Sequence, residues 1–408
     1  MTYLESTDWL FQQLPMFQRQ GPAAYKANLD GTKYVLEKMG RPDLHLDGII
    51  HVAGTNGKGS VCTAVSNALV ETGYRVALFT SPHLVDFRER MRVCGEMPSE
   101  SWVAERVTRF KLELPEWSYQ PSFFEWTFGL ALLWFVEEQV DVVVLETGMG
   151  GRLDSTNVFP SPLVTAITNI GFDHQQFLGD DIRSIAGEKA GILKDGVPVV
   201  LGRMRPEAQS VILAAALRTG SEMHYAEPAK VMTPEFGPYW PENEATALKI
   251  LEVLADQPGW RNWNLPLKVH ATGHRGRWEW MRPAPSGAKI LVDCAHNVDG
   301  LERLIAAIET IDRDRLLLVF GTVSDKDLTD VWPLLPPEAI YFFCAANIPR
   351  ALDAAELHEK ARQSGLNGSA FDSVADALNA ATKDAGPKDL VVVLGSIFIA
   401  AEALQTAQ

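Results

Sequence analysis

A short apolar run, Ile49-Ile50-His51-Val52-Ala53, empties into Gly54-Thr55-Asn56-Gly57-Lys58-Gly59-Ser60 and then into a helix-like stretch, Val61 to Thr72. Strand, glycine-rich turn and helix in that order leave few folds open. Glycines let backbone N–H groups converge on an anion without interference from Cβ, and the helix presents its positive dipole end to the same point. Lys58 adds a point charge, so the loop is expected to bind a polyphosphate. The general phosphate-loop pattern places Ser or Thr directly after the lysine. Here Gly59 intervenes and Ser60 follows, which marks a narrower subtype.

Apolar β-branched runs alternate with helical segments along most of the chain. Strands are predicted at Ile49–Ala53, Val76–Thr80, Asp141–Glu146, Val164–Asn169 and Val197–Leu201, with helices at Val61–Thr72 and Phe123–Glu138. Strands that are apolar throughout and separated by helices imply a mostly parallel sheet covered on both faces. A second α/β series follows, with strands at Lys289–Asp293, Leu316–Phe320, Tyr341–Cys344 and Leu390–Leu394 and helices at Gly300–Glu309 and Val374–Lys383. The fold class is therefore α/β: a phosphate-loop sheet domain, residues 1–276, and a smaller doubly wound domain, 277–408. The Pro- and aromatic-rich segment Pro228–Pro241 is expected to be a surface excursion of the larger domain. Arg282–Gly287 is a composition break just inside the second domain.

At 408 residues the chain exceeds one comfortable core. Its formal charge of −15 argues against sequence-independent binding to nucleic acid or to an anionic membrane, both of which need a basic face. Four cysteines, Cys62, Cys94, Cys294 and Cys344, are too scattered for a zinc site or a disulfide framework, so a reducing compartment is expected. No secretory leader is evident near Glu5 and Asp8, and the apolar stretch Trp126–Val136 is too short to span a bilayer. It reads as a buried helix. A cytoplasmic location is expected.

In parallel sheets ligands gather at the carboxyl ends of strands. Four polar clusters fall there: Gly54–Ser60, Ser81 in Thr80-Ser81-Pro82-His83-Leu84, Glu146 at the head of a glycine-rich turn, and Asp173-His174. An acid after an apolar strand, beside a phosphate loop, is the usual place for a magnesium-holding residue. Mg²⁺ prefers a few hard oxygens completed by phosphate and water, which Ser81 and Glu146 supply. Either alone reads equally as a cap or turn residue, and His174 equally as a hydrogen-bonded turn. Lys189, in Gly187-Glu188-Lys189-Ala190-Gly191-Ile192, reads as a solvated helix charge or as a lysine lodged among small residues near the metal rim.

These segments carry a resemblance. Gly-Thr-Asn-Gly-Lys-Gly-Ser, the Thr-Ser-Pro-His-Leu turn, Leu145–Asn157, Asp173-His174 followed by Leu178-Gly179, and Glu188–Ile192 resemble the folylpolyglutamate synthase/dihydrofolate synthase family of the Mur-ligase superfamily. The match continues through Asn243–Leu248, Gly276-Arg277-Trp278, Val292–Asn297, Ser324–Asp327 and Gly395-Ser396, in order and over nearly the whole chain. The resemblance implies a ligase that joins L-glutamate to dihydropteroate and to reduced folates with ATP and two Mg²⁺ ions, through an acyl phosphate. Thr55, Asn56, Gly57, Lys58, Gly59 and Ser60 would cradle the ATP phosphates, and Asn243, Arg277 and Asp293 would complete the nucleotide site. Ser81 and Glu146 would hold one metal and His174 the second. Lys189, carbamylated in the family, would help there, and His296 lies in a catalytic motif. Ser122, Phe123, Phe124 and Glu125, with Leu153, Asp154 and Ser155, would border the pterin, although Phe124 reads equally as core. A monomer is expected, with no nucleic-acid or membrane partner.

The sequence departs from the family at two places. Lys26-Ala27-Asn28-Leu29-Asp30 stands where relatives often carry a Gly-Leu-Glu-Arg-like pterin contact, and Ile397-Phe398-Ile399 is apolar where some carry a polar side chain. The bifunctional ligase has rivals: a relative with one of the two activities, a cell-wall Mur ligase, or a nucleotide-switched binding protein. The Mur loop continues Lys-Thr or Lys-Ser, unlike Lys58-Gly59-Ser60. A guanine switch would need an Asn-Lys-x-Asp motif, which the chain lacks.

Overall fold

The structure, a computed structural model, describes residues 1–15, 28–228, 236–260 and 268–406. Lys26 and Ala27 of the departing segment lie outside the described residues. Two compact units divide the chain, Met1–Met232 with Trp240–His274, and Thr233–Tyr239 with Arg275–Gln408.

The first unit runs α1 (Tyr3–Gln13), α2 (Asp30–Lys38), β1 (Ile49–Ala53), α3 (Lys58–Glu71), β2 (Val76–Phe79), β3 (Met91–Val93), α4 (Glu100–Glu113), α5 (Phe123–Glu137), β4 (Val142–Glu146), β5 (Val164–Ile167), α6 (Ile182–Ala190), β6 (Val199–Leu201), α7 (Pro206–Thr219), β7 (Met223–Tyr225) and α8 (Trp240–Ala255). Its seven strands lie in the order β3-β2-β4-β1-β5-β6-β7, parallel except for β3. From β1 the chain crosses to β2 and β3 on one side and returns to place β4 directly beside β1, then builds outward through β5 to β7 on the other. That reversal puts a crevice beside the carboxyl end of β1.

The predicted strands form, most of them trimmed by one or two residues. β5 stops at Ile167 because Thr168 and Asn169 turn to hold the loop after β1. The edge strands β3 and β7 were not predicted, since three residues give no readable alternation. Apolar packing covers both faces. Ile50 and Val52 of β1 pack with α3 and α8, while Ile49 faces the aromatic cluster of α5. The greasy run Trp126–Val136 is the body of α5, started by a capping box in which Ser122 and Glu125 satisfy each other's backbone N–H groups. No helix among the described residues is long and apolar enough to cross a membrane.

The second unit runs β8 (Glu279–Trp280), β9 (Lys289–Val292), α9 (Val298–Glu309), β10 (Leu316–Phe320), β11 (Ile340–Cys344), α10 (Ala354–Gln363), β12 (Gly368–Phe371), α11 (Val374–Asp384), β13 (Leu390–Leu394) and α12 (Ile397–Thr406). Its sheet order is β12-β11-β10-β13-β9-β8, parallel except for the β8–β9 pair. The expectation for Pro228–Pro241 needs correction where the chain is described. Phe236–Tyr239 belongs to the second unit, not to an excursion of the first, because Tyr239 packs on its core and donates its hydroxyl to Gly300 O at 3.1 Å. All four cysteines are free.

Phe128 on α5 is fully buried, with its ring centroid 5.4 Å from that of Phe79 on β2. Phe128→Ala is expected to lower the unfolding free energy of the first unit by about 3–5 kcal/mol. Urea denaturation would show this as a lower midpoint at unchanged slope.

Candidate active site

The loop after β1 is shaped from outside itself. Thr55 donates its backbone N–H to Asn169 O at 3.0 Å, and Asn56 donates to Asn169 Oδ1 at 2.7 Å. Thr168 Oγ1 donates to Asn56 O at 2.6 Å, and Thr55 Oγ1 engages both backbone groups of Gly171, donating to its carbonyl at 3.1 Å and accepting from its N–H at 3.0 Å. Gly57 caps α3 at φ +83°, where a side chain would strain the backbone and strike Asn243 Oδ1 on α8. No side chain caps α3, so its first N–H groups are left as an anion cradle. Lys58 Nζ folds back on Thr55 O at 3.2 Å.

In the unusual Lys58-Gly59-Ser60 spacing, Gly59 stands against two side chains. A Cβ on Gly59 would lie 2.8 Å from Nε2 of His274 and 3.3 Å from Oε2 of Glu146. His274 is a site residue that the sequence did not reveal. It stands in an irregular segment that carries no motif, placed by backbone groups: Asn67 of α3 donates to His270 O and Thr272 O, and Arg92 of β3 donates to Gly273 O. Asn169 was likewise missed as the residue that shapes the loop, although it sits at a strand end beside the flagged Asp173-His174 turn.

Glu146 ends β4, is buried, and accepts the Ser81 N–H through Oε2 at 2.9 Å. A buried carboxylate and an adjacent hydroxyl residue offer hard oxygens that fit Mg²⁺, and the N–H groups of the uncapped helix start suit the phosphate that would share the ion. Among the described residues no three His, Cys, Asp or Glu side chains gather in metal-holding geometry, so the phosphate would have to complete the shell. His174 adopts φ +52° on the rim of β5, with its backbone N–H on Asp173 Oδ1 at 3.0 Å. Lys189 on α6 is buried and donates to Gly54 O at 2.9 Å, at the root of the loop. Burial, then repulsion from Lys58, lowers its ammonium to about 7. Its surroundings are small as expected. A Cβ on Gly151 would sit 2.9 Å from both Glu188 O and Lys189 O.

Of the residues predicted to border the pterin, Phe124 and Asp154 converge. A Cβ on Gly148 would lie 2.6 Å from the Phe124 ring and 3.1 Å from Asp154 Oδ2. Asp154 is buried, which raises its carboxyl against the lowering pull of hydrogen bonds from Thr156, Met149 and Gly148. Ser122 and Glu125 spend their polar atoms on the α5 cap, with Tyr119 OH also on Glu125 Oε1 at 2.9 Å, and Phe123 lies in the core. Leu153 is half-buried, and Ser155 Oγ accepts the Thr32 hydroxyl at 2.8 Å.

Arg277, Asp293 and His296 belong to the second unit. Asp293 is buried and accepts from Trp278 N and Ala295 N, each at 2.8 Å. Burial raises its carboxyl, opposed first by Arg277. His296 Nδ1 lies 2.8 Å from Cys294 O, and since a carbonyl only accepts, that nitrogen carries the hydrogen.

Residues 276–397 match the Mur ligase, glutamate ligase domain. The folylpolyglutamate synthase of Lacticaseibacillus casei is 32% identical over 394 residues, 88% of this chain and 89% of that one. The chain belongs to this synthase family. The dihydrofolate synthase/folylpolyglutamate synthase of Escherichia coli is 33% identical over 383 residues, 88% of this chain and 86% of its own. Among solved structures, Escherichia coli FolC in complex with DHPP and ADP superposes with TM-score 0.82 at 28% identity, covering 99% of this chain and 97% of that one. A bifunctional folylpolyglutamate synthase/dihydrofolate synthase with Mn, AMPPNP and L-glutamate bound superposes at 0.81 with 27% identity, covering 99% and 98%.

The lowered Lys189 sets a pH dependence. Between pH about 7 and 10.5 the unfolded chain holds a proton there that the folded chain lacks, so unfolding becomes harder as pH rises through this window. Below it both states are protonated and the burial penalty is felt in full. Lys189→Met is expected to flatten the rise of Tm across that range, as thermal melts at fixed ionic strength would show.

Proposed function

We propose that this chain is an ATP-dependent amide ligase that joins L-glutamate to dihydropteroate and to tetrahydrofolate through an acyl phosphate, a bifunctional dihydrofolate synthase/folylpolyglutamate synthase. One observation carries the reading. The uncapped start of α3, the buried Glu146 and the Phe124–Asp154 pair around Gly148 all stand at the carboxyl ends of the paired strands β1 and β4. A phosphate cradle therefore lies beside a pocket with an aromatic face and a carboxylate, which suits a flat heterocycle with N–H donors.

A carboxylate is too poor an electrophile to condense with an amine in water. Its oxygen must first bond to the γ-phosphorus of ATP as the bond to ADP breaks, and two anions must approach for this to happen. Lys58 and the first N–H groups of α3 offset that repulsion. Ser81 and Glu146 would hold one magnesium ion and His174, with Lys189 once carbamylated, a second, and the ions would neutralise phosphate oxygens further. Carbamylation needs a neutral amine, and the lowered Lys189 provides one near neutral pH. The glutamate amine then bonds to the acyl carbon as phosphate leaves. Thr55, Asn56, Gly57, Gly59 and Ser60 are assigned to the phosphates with Asn243 beside Gly57, Arg277 and Asp293 to the nucleotide, and His296 to the reacting groups. The first unit, close to the expected 1–276, acts as the ATP-binding domain and the second, close to 277–408, as the glutamate ligase domain, in a cytoplasmic monomer.

ADP release is the direct test, measured with glutamate plus dihydropteroate, plus tetrahydrofolate, plus a UDP-muramoyl peptide, or with no acceptor. Turnover with both of the first two is expected. Turnover with only one would reduce the enzyme to a single activity, and turnover without an acceptor would end the ligase reading. Heavy-oxygen label in the substrate carboxylate should appear in the released phosphate. Lys58→Ala and Glu146→Ala should each cut kcat/KM by roughly 10³ or more with folding intact, and Lys189→Ala should regain part of its rate with small carboxylates.

A further inference from the structure

His51 takes no part in the chemistry above, yet it occupies the middle of the central strand. It pairs in register with Leu145 of β4 and Thr165 of β5 and is 2% exposed. An apolar residue would be the cheaper choice at such a position, because a buried imidazole must find a hydrogen-bond partner. Alternation along β1 turns His51 away from the face of Ile50 and Val52, toward the side where the turn Ser155–Val158 lies. There His51 Nε2 meets Thr156 Oγ1 at 2.8 Å.

The direction of that bond is fixed by its neighbour. Thr156 Oγ1 also lies 2.6 Å from Asp154 Oδ1, and the same carboxylate oxygen accepts the Thr156 N–H at 3.0 Å. A hydroxyl has one proton to give and lone pairs to receive. An ionised carboxylate only accepts, so the threonine proton goes to Asp154 and the threonine oxygen must be fed by His51 Nε2–H. Burial holds the imidazole down to about 3, so it stays neutral and keeps a single ring hydrogen. Asp154 Oδ2 takes the Met149 N–H at 2.8 Å, which leaves the carboxylate little freedom to rotate.

We infer that His51 is a positioning residue for substrate recognition: through Thr156 it fixes the carboxylate of Asp154 against which the pterin end of the substrate binds. This rests on the assignment of Asp154 to the substrate pocket made above. The relay never touches the phosphate loop, so its loss acts on the affinity for the pterin substrate and leaves nucleotide affinity in place.

The test is steady-state kinetics on full-length variants, with ADP affinity measured by titration as a check on the loop. Thr156→Val and His51→Phe should each raise KM for dihydropteroate about tenfold, while KM for ATP and the Kd for ADP stay within about twofold. Thr156→Ser and His51→Gln, which restore a hydroxyl and an N–H at similar reach, should return KM to within about threefold of wild type. The double variant should be no worse than Thr156→Val alone, since the two groups act in series. If His51→Phe does not fold, Thr156→Val decides. A wild-type KM in Thr156→Val alongside a raised KM in Asp154→Asn overturns the relay and spares the pocket. A wild-type KM in Asp154→Asn overturns the pocket assignment itself. A parallel loss of ADP and dihydropteroate affinity would make the role purely structural and also overturn the inference.

Discussion

The first unit depends on how the turn after β1 is tied to the rim of β5. A glycine-rich loop has high conformational entropy, and glycine alone does not choose one shape. Here the choice is made by Thr168 and Asn169, which leave the ladder two residues early and spend a hydroxyl, an amide oxygen and a carbonyl on Thr55 and Asn56. With the loop fixed, α3 starts at Lys58 with its N–H groups unused, and Lys189 finds an acceptor in Gly54 O. Strand order adds the rest. β4 and β5 flank β1, so Glu146 on one side and Asn169 on the other are brought to the same rim from residues about a hundred positions away.

Much of this was legible beforehand, for identifiable reasons. Central strands such as Val142–Glu146 and Leu390–Leu394 are buried on both faces, and their sequences say so without interruption. The edge strands β3, β7, β8 and β12 are short or half-exposed, and carry no comparable pattern. At the site, the groups that follow a strand directly, Ser81, Glu146 and Gly54–Ser60, could be placed by rule. His274 could not, because its place over Gly59 is set by backbone carbonyls accepting from Asn67 and Arg92, and nothing in the residue types announces that.

The aromatic run at the start of α5 shows the same limit at closer range. Ser122, Phe123, Phe124 and Glu125 are neighbours in sequence, yet a helix start sends them to three different places. Ser122 and Glu125 close the cap, Phe123 enters the core, and Phe124 reaches Gly148. Adjacency in the sequence therefore does not bring these four side chains to one place. Gly148 is where the Phe124 ring and the Asp154 carboxylate meet.

Charge completes the picture. The chain carries a formal −15, so an incoming polyphosphate meets an unfavourable mean field. Attraction must then be local and built before the anion arrives. Two lysines sit near one loop, and their mutual repulsion, added to burial, is what lowers Lys189. An anion settled at the start of α3 would screen Lys58 and relax that repulsion. Occupancy of the cradle and protonation of Lys189 are therefore linked, each favouring the other. Reaction of the amine with CO₂ would break that link by replacing a base with a fixed negative group, turning a site that competes with metal for position into one that attracts it.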